Sequence, residues 1–386
     1  MAVEKPVTEI NHGRAAGLVD ATGDQEQRFA VAFSLMDDAI ARRVFPGAAL
    51  AVTMEGRLLA WRAFGRLTYE AASPEASPET SPEIQREAVW DLASLTKPIA
   101  TTSMAMLLHE RGRLKLDAPI VNLLPEFADA ADLRRETVTA KMLLEHSSGL
   151  PAHRKLYLET DGREAMLAAA ARVPLEAAPG ERSEYSDIGF ILLGQLLERL
   201  AGEREDVFCQ REVFDPLKLN FRFAPHPRQS IHFPPTVIDA DYRGRIIQGE
   251  VNDENASAMG GVTGHAGLFG DALSVARFAH CILRGGLPLF RPETVHLFTT
   301  RATRPAGTSR TMGWDTPSAP SQSGTRFSVR SFGHLGYTGT SLWCDPERGL
   351  SVTMLTNRTW PDASNQAIKE VRPTVHDAIL ECVELK

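Results

Sequence analysis

The stretch from Val89 to Leu108 constrains the fold of this chain most strongly, because it places a lysine inside an otherwise apolar segment. It reads V-W-D-L-A-S-L-T-K-P-I-A-T-T-S-M-A-M-L-L. Its apolar residues recur at near-helical spacing, and Pro98 is tolerated only in a first helical turn. The spacing therefore predicts a buried helix on which Ser94 and Lys97 share one face.

A serine and a lysine on one helix face suit nucleophilic catalysis. A serine hydroxyl is a weak nucleophile until a base takes its proton, and a lysine serves as that base when burial or nearby positive charge lowers its pKa. The first turn of a helix adds partial positive charge and free N–H groups for an oxyanion. In an arbitrary Ser-x-x-Lys, the serine is more often a helix cap and the lysine a surface residue. Here, only Lys97 among eight lysines has a serine three positions earlier, and a lysine in an apolar segment is costly.

Composition narrows the choice of partners. The 386 residues carry a formal net charge of −7 and contain no basic run, which argues against nucleic-acid or membrane partners and favours a small-molecule substrate. The four cysteines are far apart, and the histidines lack the spacing of metal ligands. We therefore expect no disulfide, no metal and no other cofactor. The first twenty residues lack the apolar run of a signal peptide. We expect a cytoplasmic protein, or a periplasmic one if an export signal has been removed.

Strand signals lie near both ends of the chain, and helical signals lie between them. Apolar runs at 48–53 and 58–64 flank an E-G-R turn, and further runs at 341–344 and 350–356 flank a D-P-E-R-G turn. We expect helices at 25–45, 137–145, 162–172, 188–200, 207–213, 271–283 and 363–385, and irregular structure at 220–250. This pattern predicts an α+β fold in which an antiparallel sheet, flanked by the terminal helices, carries an inserted helical lobe.

The same pattern predicts domain boundaries. We assign 1–92 and 302–386 to the sheet lobe and 93–301 to the mostly helical lobe. Three Ser-Pro steps at 69–84 predict a flexible surface insertion with no catalytic role. We expect the site in a cleft between the lobes, and Ser94 lies where they join in the sequence.

Two further motifs follow Ser94 and Lys97, namely Y-S-D at 185–187 and H-L-G at 334–336. All three motifs stand in the order found in the penicillin-recognising serine hydrolases. The segments L-L-E-H-S-S-G-L-P and G-H-L-G-Y-T-G-T-S-L-W-C-D-P-E are similar to stretches of the branch that holds class C β-lactamases, D-alanyl-D-alanine carboxypeptidases and family VIII-type esterases. The resemblance extends from about residue 37 over nearly the whole chain. It implies a β-lactamase/transpeptidase-like fold.

The resemblance also implies catalytic roles. Ser94 would be the nucleophile that attacks a carbonyl carbon, Lys97 would assist as base, and Tyr185 would relay the proton to the leaving group. The third motif would be an edge strand that closes the cleft opposite the serine. The backbone N–H groups of Ser94 and Tyr337 would then form the oxyanion hole.

Three residues are implied in substrate binding: Asp187, His334 and Gly336. β-Lactamases usually have asparagine at the position of Asp187 and lysine at the position of His334. A carboxylate at 187 could pair with Lys97 and would raise the pKa of the lysine, and His334 would supply polarity or positive charge to the cleft. His265 begins a second His-x-Gly pattern, but a helix follows it, so we favour His334 and expect structural hydrogen bonds from His265.

These departures weaken recognition of a substrate carboxylate. They favour a serine hydrolase that forms an acyl-enzyme on a small ester or amide, most similar to a carboxylesterase. One alternative is a D,D-carboxypeptidase or β-lactamase acting on peptidoglycan peptides or β-lactams. Another is a non-catalytic binding or scaffold protein with the same fold, against which the intact Ser94, Lys97 and Tyr185 argue.

Overall fold

The computed structural model describes residues 17–69, 81–224 and 233–384, and its framework is a six-stranded sheet. The strands of the chain are β1 (Val19–Asp20), β2 (Gly47–Met54), β3 (Arg57–Gly65), β4 (Trp90–Asp91), β5 (Arg222–Phe223), β6 (Val237–Asp239), β7 (Arg245–Ile247), β8 (Leu268–Gly270), β9 (Phe332–Leu335), β10 (Ser341–Asp345) and β11 (Leu350–Thr356). The large sheet has the order β1-β3-β2-β11-β10-β9. Both ends of the chain therefore build one sheet, which confirms the predicted fold class.

Helices cover both faces of this sheet. They are α1 (Gln25–Arg28), α2 (Ala30–Ala41), α3 (Thr102–Glu110), α4 (Ala140–Leu144), α5 (Arg163–Arg172), α6 (Asp187–Ala201), α7 (Glu205–Cys209), α8 (Asp215–Leu217), α9 (Glu254–Ala258), α10 (Ala272–Leu283), α11 (Pro292–Thr299) and α12 (Ile368–Glu384). Within the described ranges, no helix is long and apolar enough to cross a bilayer.

The hairpins form where turn chemistry predicts them. At the β2–β3 turn, Glu55 and Gly56 have φ angles of 49° and 78°, and a turn with two positive φ values matches the twist of the strands on either side. Strands β10 and β11 pair over five positions, from Ser341 opposite Met354 to Asp345 opposite Leu350. The predicted all-antiparallel sheet needs one correction, because β1 pairs with β3 in parallel.

Strand β2 separates two hydrophobic cores. Ala48, Leu50 and Val52 face a core that contains residues of α2 and α12, whereas Ala49 and Ala51 face the larger core of the inserted helices. Alternate side chains of a strand point to opposite faces, so a strand that is apolar at every position can be buried on both. This explains why 48–53 reads as a continuous apolar run.

Other predictions need adjustment. The helix expected at 25–45 is interrupted at Phe29 and ends at Ala41. Helix α11 was not predicted, although Pro292 is its first residue and Pro is common there. Region 220–250 was predicted to be irregular, but β5 and the hairpin of β6 and β7 lie within it. Most of the Ser-Pro insertion at 69–84 lies outside the described residues, and the domain boundaries stay a prediction.

A glycine contact joins α6 to the segment that precedes β8. A Cβ on Gly264 would lie 2.3 Å from the carbonyl oxygen of Phe190 and 3.0 Å from the Cα of Gly194. Backbone atoms cannot move aside as a flexible side chain can. The close approach therefore requires glycine at 264.

We expect Gly264→Ala to lower the free energy of unfolding by about 1–3 kcal/mol, the usual cost of overpacking. Urea denaturation measures the change. The matched control is Gly23→Ala, since a Cβ at Gly23 meets nothing within 4 Å and should change the free energy by less than about 0.5 kcal/mol. Equal stability of the two variants would contradict the contact.

Candidate active site

The turn that carries Ser94 is held in an unusual backbone conformation. Strand β4 ends at Asp91, Ala93 has a φ of +47°, and Ser94 lies in a short 3₁₀ turn, Ala93–Leu95. The Asp91 carboxylate accepts hydrogen bonds from the N–H of Ala93 at 2.8 Å and the N–H of Asn252 at 2.6 Å. A positive φ is unfavourable for alanine, so these bonds stabilise the turn that presents Ser94 to the cavity.

The helix predicted after Ser94 is present, but its first turn differs. Lys97–Thr101 form a π-helical turn, and the regular helix α3 begins at Thr102. π-Helical turns are rare, and those that occur are often found at functional sites. The expected pair is formed within it, with Lys97 Nζ 3.0 Å from Ser94 Oγ.

All three N–H donors of Lys97 have acceptors. Besides the Ser94 hydroxyl, Nζ donates to Asp187 Oδ1 at 2.7 Å and to the carbonyl of His265 at 3.1 Å. The lysine side chain is fully buried, and that of Asp187 is 19% exposed. An ammonium has three donors and no acceptor, so this arrangement fixes Nζ against the serine.

The ion pair determines the protonation of both partners. Burial disfavours the charged form of Lys97, but Asp187 and, to a smaller extent, Tyr185 together outweigh burial and hold the pKa of the lysine above its usual value. Burial likewise opposes ionisation of Asp187, and the Lys97 ammonium holds the pKa of this carboxyl far below its usual range. At neutral pH the resting site thus contains an ammonium and a carboxylate, as the sequence indicated for this pair.

Tyr185 lies beside the lysine at the entrance to helix α6. Lys97 Nζ is 4.7 Å from the centre of the phenol ring. The neighbouring Ser186 caps α6, because its Oγ accepts from the N–H of Gly189 at 3.0 Å. Burial raises the pKa of Tyr185 and the lysine opposes this, with a net increase. The tyrosine is therefore a neutral phenol at neutral pH, next to a cation.

Two histidines flank Tyr185. The rings of His146 and His334 lie 4.6 and 5.8 Å from the tyrosine ring, centre to centre. Burial, together with Arg310 and Lys97, holds the pKa of His146 well below its usual value and lowers that of His334 to about 3. Both rings are neutral at neutral pH. Of the two contributions expected of His334, polarity or positive charge, the neutral ring can supply polarity.

The hydrogen bonds of these rings fix their tautomers. Nδ1 of His146 accepts from the N–H of Ser186 at 3.0 Å, so its proton is on Nε2. Nδ1 of His334 faces the carbonyl of Leu335 at 2.8 Å, so its Nε2 carries a lone pair. Neither Nε2 atom has a partner among the described residues. His146 thus has one unused donor, and His334, which lines the cavity described below, has one unused acceptor.

A cation from another part of the chain, Arg310, lies beside Tyr185. The guanidinium of Arg310 lies 5.2 Å from the centre of the Tyr185 ring, with Nη1 at 3.4 Å from Asp315. Its local sequence, R-T-M-G-W-D, contains no recognised signal. His146 was also not predicted, although it lies in the segment L-L-E-H-S-S-G-L-P, which resembles the family.

The third motif contacts the backbone just before Ser94. A Cβ on Gly336 would lie 1.9 Å from Thr340 Oγ1 and 2.7 Å from the carbonyl oxygen of Leu92. The Thr340 hydroxyl also donates to this carbonyl at 3.0 Å, and that of Thr338 donates to the carbonyl of Asp91 at 2.9 Å. Gly336, predicted to bind substrate, lines the cavity but is required by this close backbone contact.

A cavity of about 1010 Å³ opens in front of Ser94. Of the predicted site residues, those that line it are Ser94, Tyr185, Asp187, His334, Gly336 and Tyr337, whereas Lys97 lies behind the wall. Its volume is at the upper end of the range of about 300–1,000 Å³ for small-molecule sites. The structure therefore brings the predicted residues together at one opening.

His265 lies beneath this cavity and is 1% exposed. Its Nε2 contacts Asp253 at 2.9 Å and its Nδ1 contacts the Thr263 hydroxyl at 2.9 Å. It therefore makes the structural hydrogen bonds expected of it. His153, which was not predicted, lies 3.8 Å from the second oxygen of Asp187, and this carboxylate raises the pKa of the ring.

Comparison with known proteins gives the family. The sequence model of the beta-lactamase family matches residues 32–373. The N-acetylmuramyl-L-alanine amidase of Bacillus subtilis (strain 168) is 31% identical over 348 residues, which cover 81% of this chain and 77% of the amidase.

Solved structures show the same fold. EstCE1, a hydrolase with promiscuous acyltransferase activity, matches with a TM-score of 0.74 at 22% identity, over 92% of this chain and 99% of EstCE1. The octameric penicillin-binding protein homologue from Pyrococcus abyssi matches with a TM-score of 0.68 at 20% identity, over 91% and 77% of the two chains. The family match over residues 32–373 agrees with the three motifs of the sequence. This chain belongs to the beta-lactamase family and is a serine hydrolase.

Proposed function

We propose that the enzyme hydrolyses a small ester or amide through an acyl-enzyme on Ser94, with carboxylesterase-like preference. The observation that carries the proposal is the 3.0 Å contact between Ser94 Oγ and the buried Nζ of Lys97, at a turn that opens into the cavity. A buried lysine is expensive for a fold to maintain. Its position against a hydroxyl is explained by activation of that hydroxyl.

In acylation, Ser94 Oγ bonds to the substrate carbonyl carbon and loses its proton to the Lys97–Tyr185 pair. The two groups interact strongly and titrate as one unit, whose reactive form holds one proton fewer than the resting form. The backbone N–H groups of Ser94 and Tyr337 receive the carbonyl oxygen as it becomes negative, and each such donor contributes about 2.7–4 kcal/mol. The C–O or C–N bond then breaks, and the leaving group takes the proton from the pair.

Deacylation repeats these steps with water. Water gives a proton to the Lys97–Tyr185 pair and bonds to the acyl carbon. The bond to Ser94 breaks, and the proton returns to Ser94 Oγ. The acid leaves and the resting site is restored.

The proposed ester preference follows from the two motif departures. Asp187 accepts from Lys97 and, being a carboxylate, cannot donate to a lactam side chain as an asparagine amide can. His334 is neutral and offers an acceptor, so it does not supply a cation for a substrate carboxylate. A leaving alcohol also requires less help from a proton donor than an amine does.

A second candidate is hydrolysis of a peptidoglycan amide. Arg310 over the Tyr185 ring places a cation at the site, and a guanidinium suits a substrate carboxylate. The amidase relative is named for a bond of this class. A faster reaction with muropeptides than with 4-nitrophenyl esters would favour this candidate.

We expect Ser94→Ala to abolish labelling by a fluorophosphonate and to lower kcat/KM for 4-nitrophenyl butyrate by about 10⁴-fold or more. Intact-mass spectrometry and initial rates measure the two effects. The control is Ser34→Ala, an exposed serine on α2, which should label as the wild type does. Labelling of Ser94→Ala at the wild-type rate would refute the nucleophile.

We expect Asp187→Asn to shift the rise of kcat/KM with pH toward lower pH by about one unit or more. Loss of the carboxylate removes the charge that holds the ammonium of Lys97, so the pKa of the lysine falls and the deprotonated pair appears at lower pH. A pH–rate profile measures the midpoint. In the control Asp38→Asn, an exposed carboxylate away from the cavity is removed, and the midpoint should stay in place. A shift to higher pH in Asp187→Asn would contradict the assignment.

A further inference from the structure

A buried carboxyl group that the proposed chemistry does not use lies against the π-helical turn of Lys97. Glu205 is the first residue of α7 and is fully buried. Its Oε1 lies 2.6 Å from the hydroxyl of Thr101, the last residue of that turn. Its Oε2 is buried and has no hydrogen-bond partner among the described residues. An ionised carboxyl with an unsatisfied oxygen is costly in such a place.

The hydroxyl of Thr101 contacts two oxygen atoms. Besides Glu205 Oε1, the carbonyl oxygen of Gly264 lies 2.7 Å from Thr101 Oγ1. A hydroxyl has one proton, so it can donate to only one of them. If Glu205 were ionised, the other contact would bring two lone pairs together at hydrogen-bond distance. If Glu205 is protonated, its O–H donates to Thr101 and Thr101 donates to Gly264, and both contacts are hydrogen bonds.

No cation is paired with Glu205. In the described part of the chain, no lysine or arginine lies within ion-pair distance of its carboxyl. Arg163 binds Glu198 at 2.6 Å instead, and Lys97 directs its ammonium to Asp187 at 2.7 Å. Glu198 also accepts from the N–H of Glu205 at 3.0 Å, so a second carboxylate lies beside the first residue of α7. An ionised Glu205 would be a buried charge without a counter-charge.

The groups that act electrostatically on Glu205 agree with this geometry. They are Arg163 on α5, Glu198 on α6, and Asp206 and Cys209 on α7. Burial raises the pKa of Glu205 to about 8; the hydrogen bond from Thr101 opposes the rise, the charge of Glu198 adds to it, and Arg163 opposes it. Burial also raises the pKa of the Cys209 thiol, so this neighbour stays neutral when Glu205 titrates.

The segment that Thr101 holds also holds the lysine. Gly264 directly precedes His265, whose carbonyl accepts from Lys97 Nζ at 3.1 Å. The bond from Thr101 therefore orients the peptide unit that leads to the acceptor of the lysine. Gly264 also packs against the backbone of α6, so this peptide unit has little room to move without a loss of contact.

We propose that Glu205 is a positioning residue that acts as a neutral carboxylic acid. Its proton completes a chain of two hydrogen bonds, from Glu205 to Thr101 and from Thr101 to Gly264, which keeps the acceptor of Lys97 in place. When the proton leaves, the Thr101 hydroxyl turns to the carboxylate and the Gly264 carbonyl loses its donor. Hydrolysis then slows at alkaline pH. This effect on the rate rests on the proposed function, whereas the protonation of Glu205 does not.

Protonation is tested first, without turnover. In the unfolded chain a glutamate ionises at its usual pKa of about 4.3, whereas Glu205 keeps its proton in the folded protein until about pH 8. Stability therefore falls as the pH rises between these values. Glu205→Gln cannot ionise, and its amide donates to Thr101 as the acid does. We expect the Tm of the wild type to fall relative to that of Glu205→Gln by about 2 °C or more between pH 5 and pH 9.

The rate is tested with 4-nitrophenyl butyrate after subtraction of spontaneous hydrolysis. We expect kcat/KM of Glu205→Gln to equal that of the wild type near pH 6.5 and to exceed it about tenfold at pH 9, where about one Glu205 in ten keeps its proton. Dividing the two values removes the rise with pH that the Lys97–Tyr185 pair gives to both proteins. Glu205→Leu cannot donate to Thr101 and should be slower than Glu205→Gln at every pH.

The control is Glu164→Gln, which removes an exposed carboxyl on α5. Its Tm and its kcat/KM should follow those of the wild type from pH 5 to pH 9. A Tm difference between the wild type and Glu205→Gln that stays constant with pH, or a ratio of kcat/KM that does so, would overturn the inference. A Tm difference that grows with pH, in a protein that hydrolyses no ester and takes no fluorophosphonate, would overturn the proposed hydrolase and leave the neutral Glu205 in place.

Discussion

The buried ion pair between Lys97 and Asp187 is the interaction on which the site depends. Lys97 comes from the turn after Ser94, and Asp187 is the first residue of α6. The pair therefore joins the turn of Ser94 to the helix that follows Tyr185. Removal of one partner from a buried ion pair costs about 3–5 kcal/mol of stability. The Lys97–Asp187 pair therefore also fixes the position of the π-helical turn relative to α6, although the two residues are 90 positions apart in the sequence.

A second connection attaches the sheet to this centre. The strand that carries His334 ends in a loop whose threonine hydroxyls bond to the carbonyls of Asp91 and Leu92. The positive φ of Ala93 follows at once. Ser94, the proposed nucleophile, thus lies on a turn that is held from the sheet on one side and from α6, through Lys97, on the other. Such support on both sides keeps a strained turn in place when the substrate binds.

Local chemistry explains what the sequence could predict. The strands around Glu55 and Gly56 follow from alternation and turn residues, and Ser94, Lys97 and Tyr185 follow from motifs in a fixed order. The cations of the cavity could not be predicted in this way. Arg310, Arg358 and Arg372 reach the cavity through contacts between distant segments, and their neighbours in the sequence show no pattern. The π-helical turn at Lys97 likewise depends on partners that are far away in the chain, such as Asp187 and the His265 carbonyl.

Helix α12 serves two surfaces at once. Val375 and Ile379 are fully buried in the core against the sheet, and Arg372, one turn earlier, faces the cavity. A helix turns by about 100° per residue, so a single residue inserted ahead of Val371 would move the guanidinium to the half-exposed position that Pro373 now holds and would put the apolar side chain of Val371 at the cavity wall. The chemistry of the cavity wall and the register of the C-terminal helix are therefore one constraint, and variation in this wall is confined to replacements that leave the length of α12 unchanged.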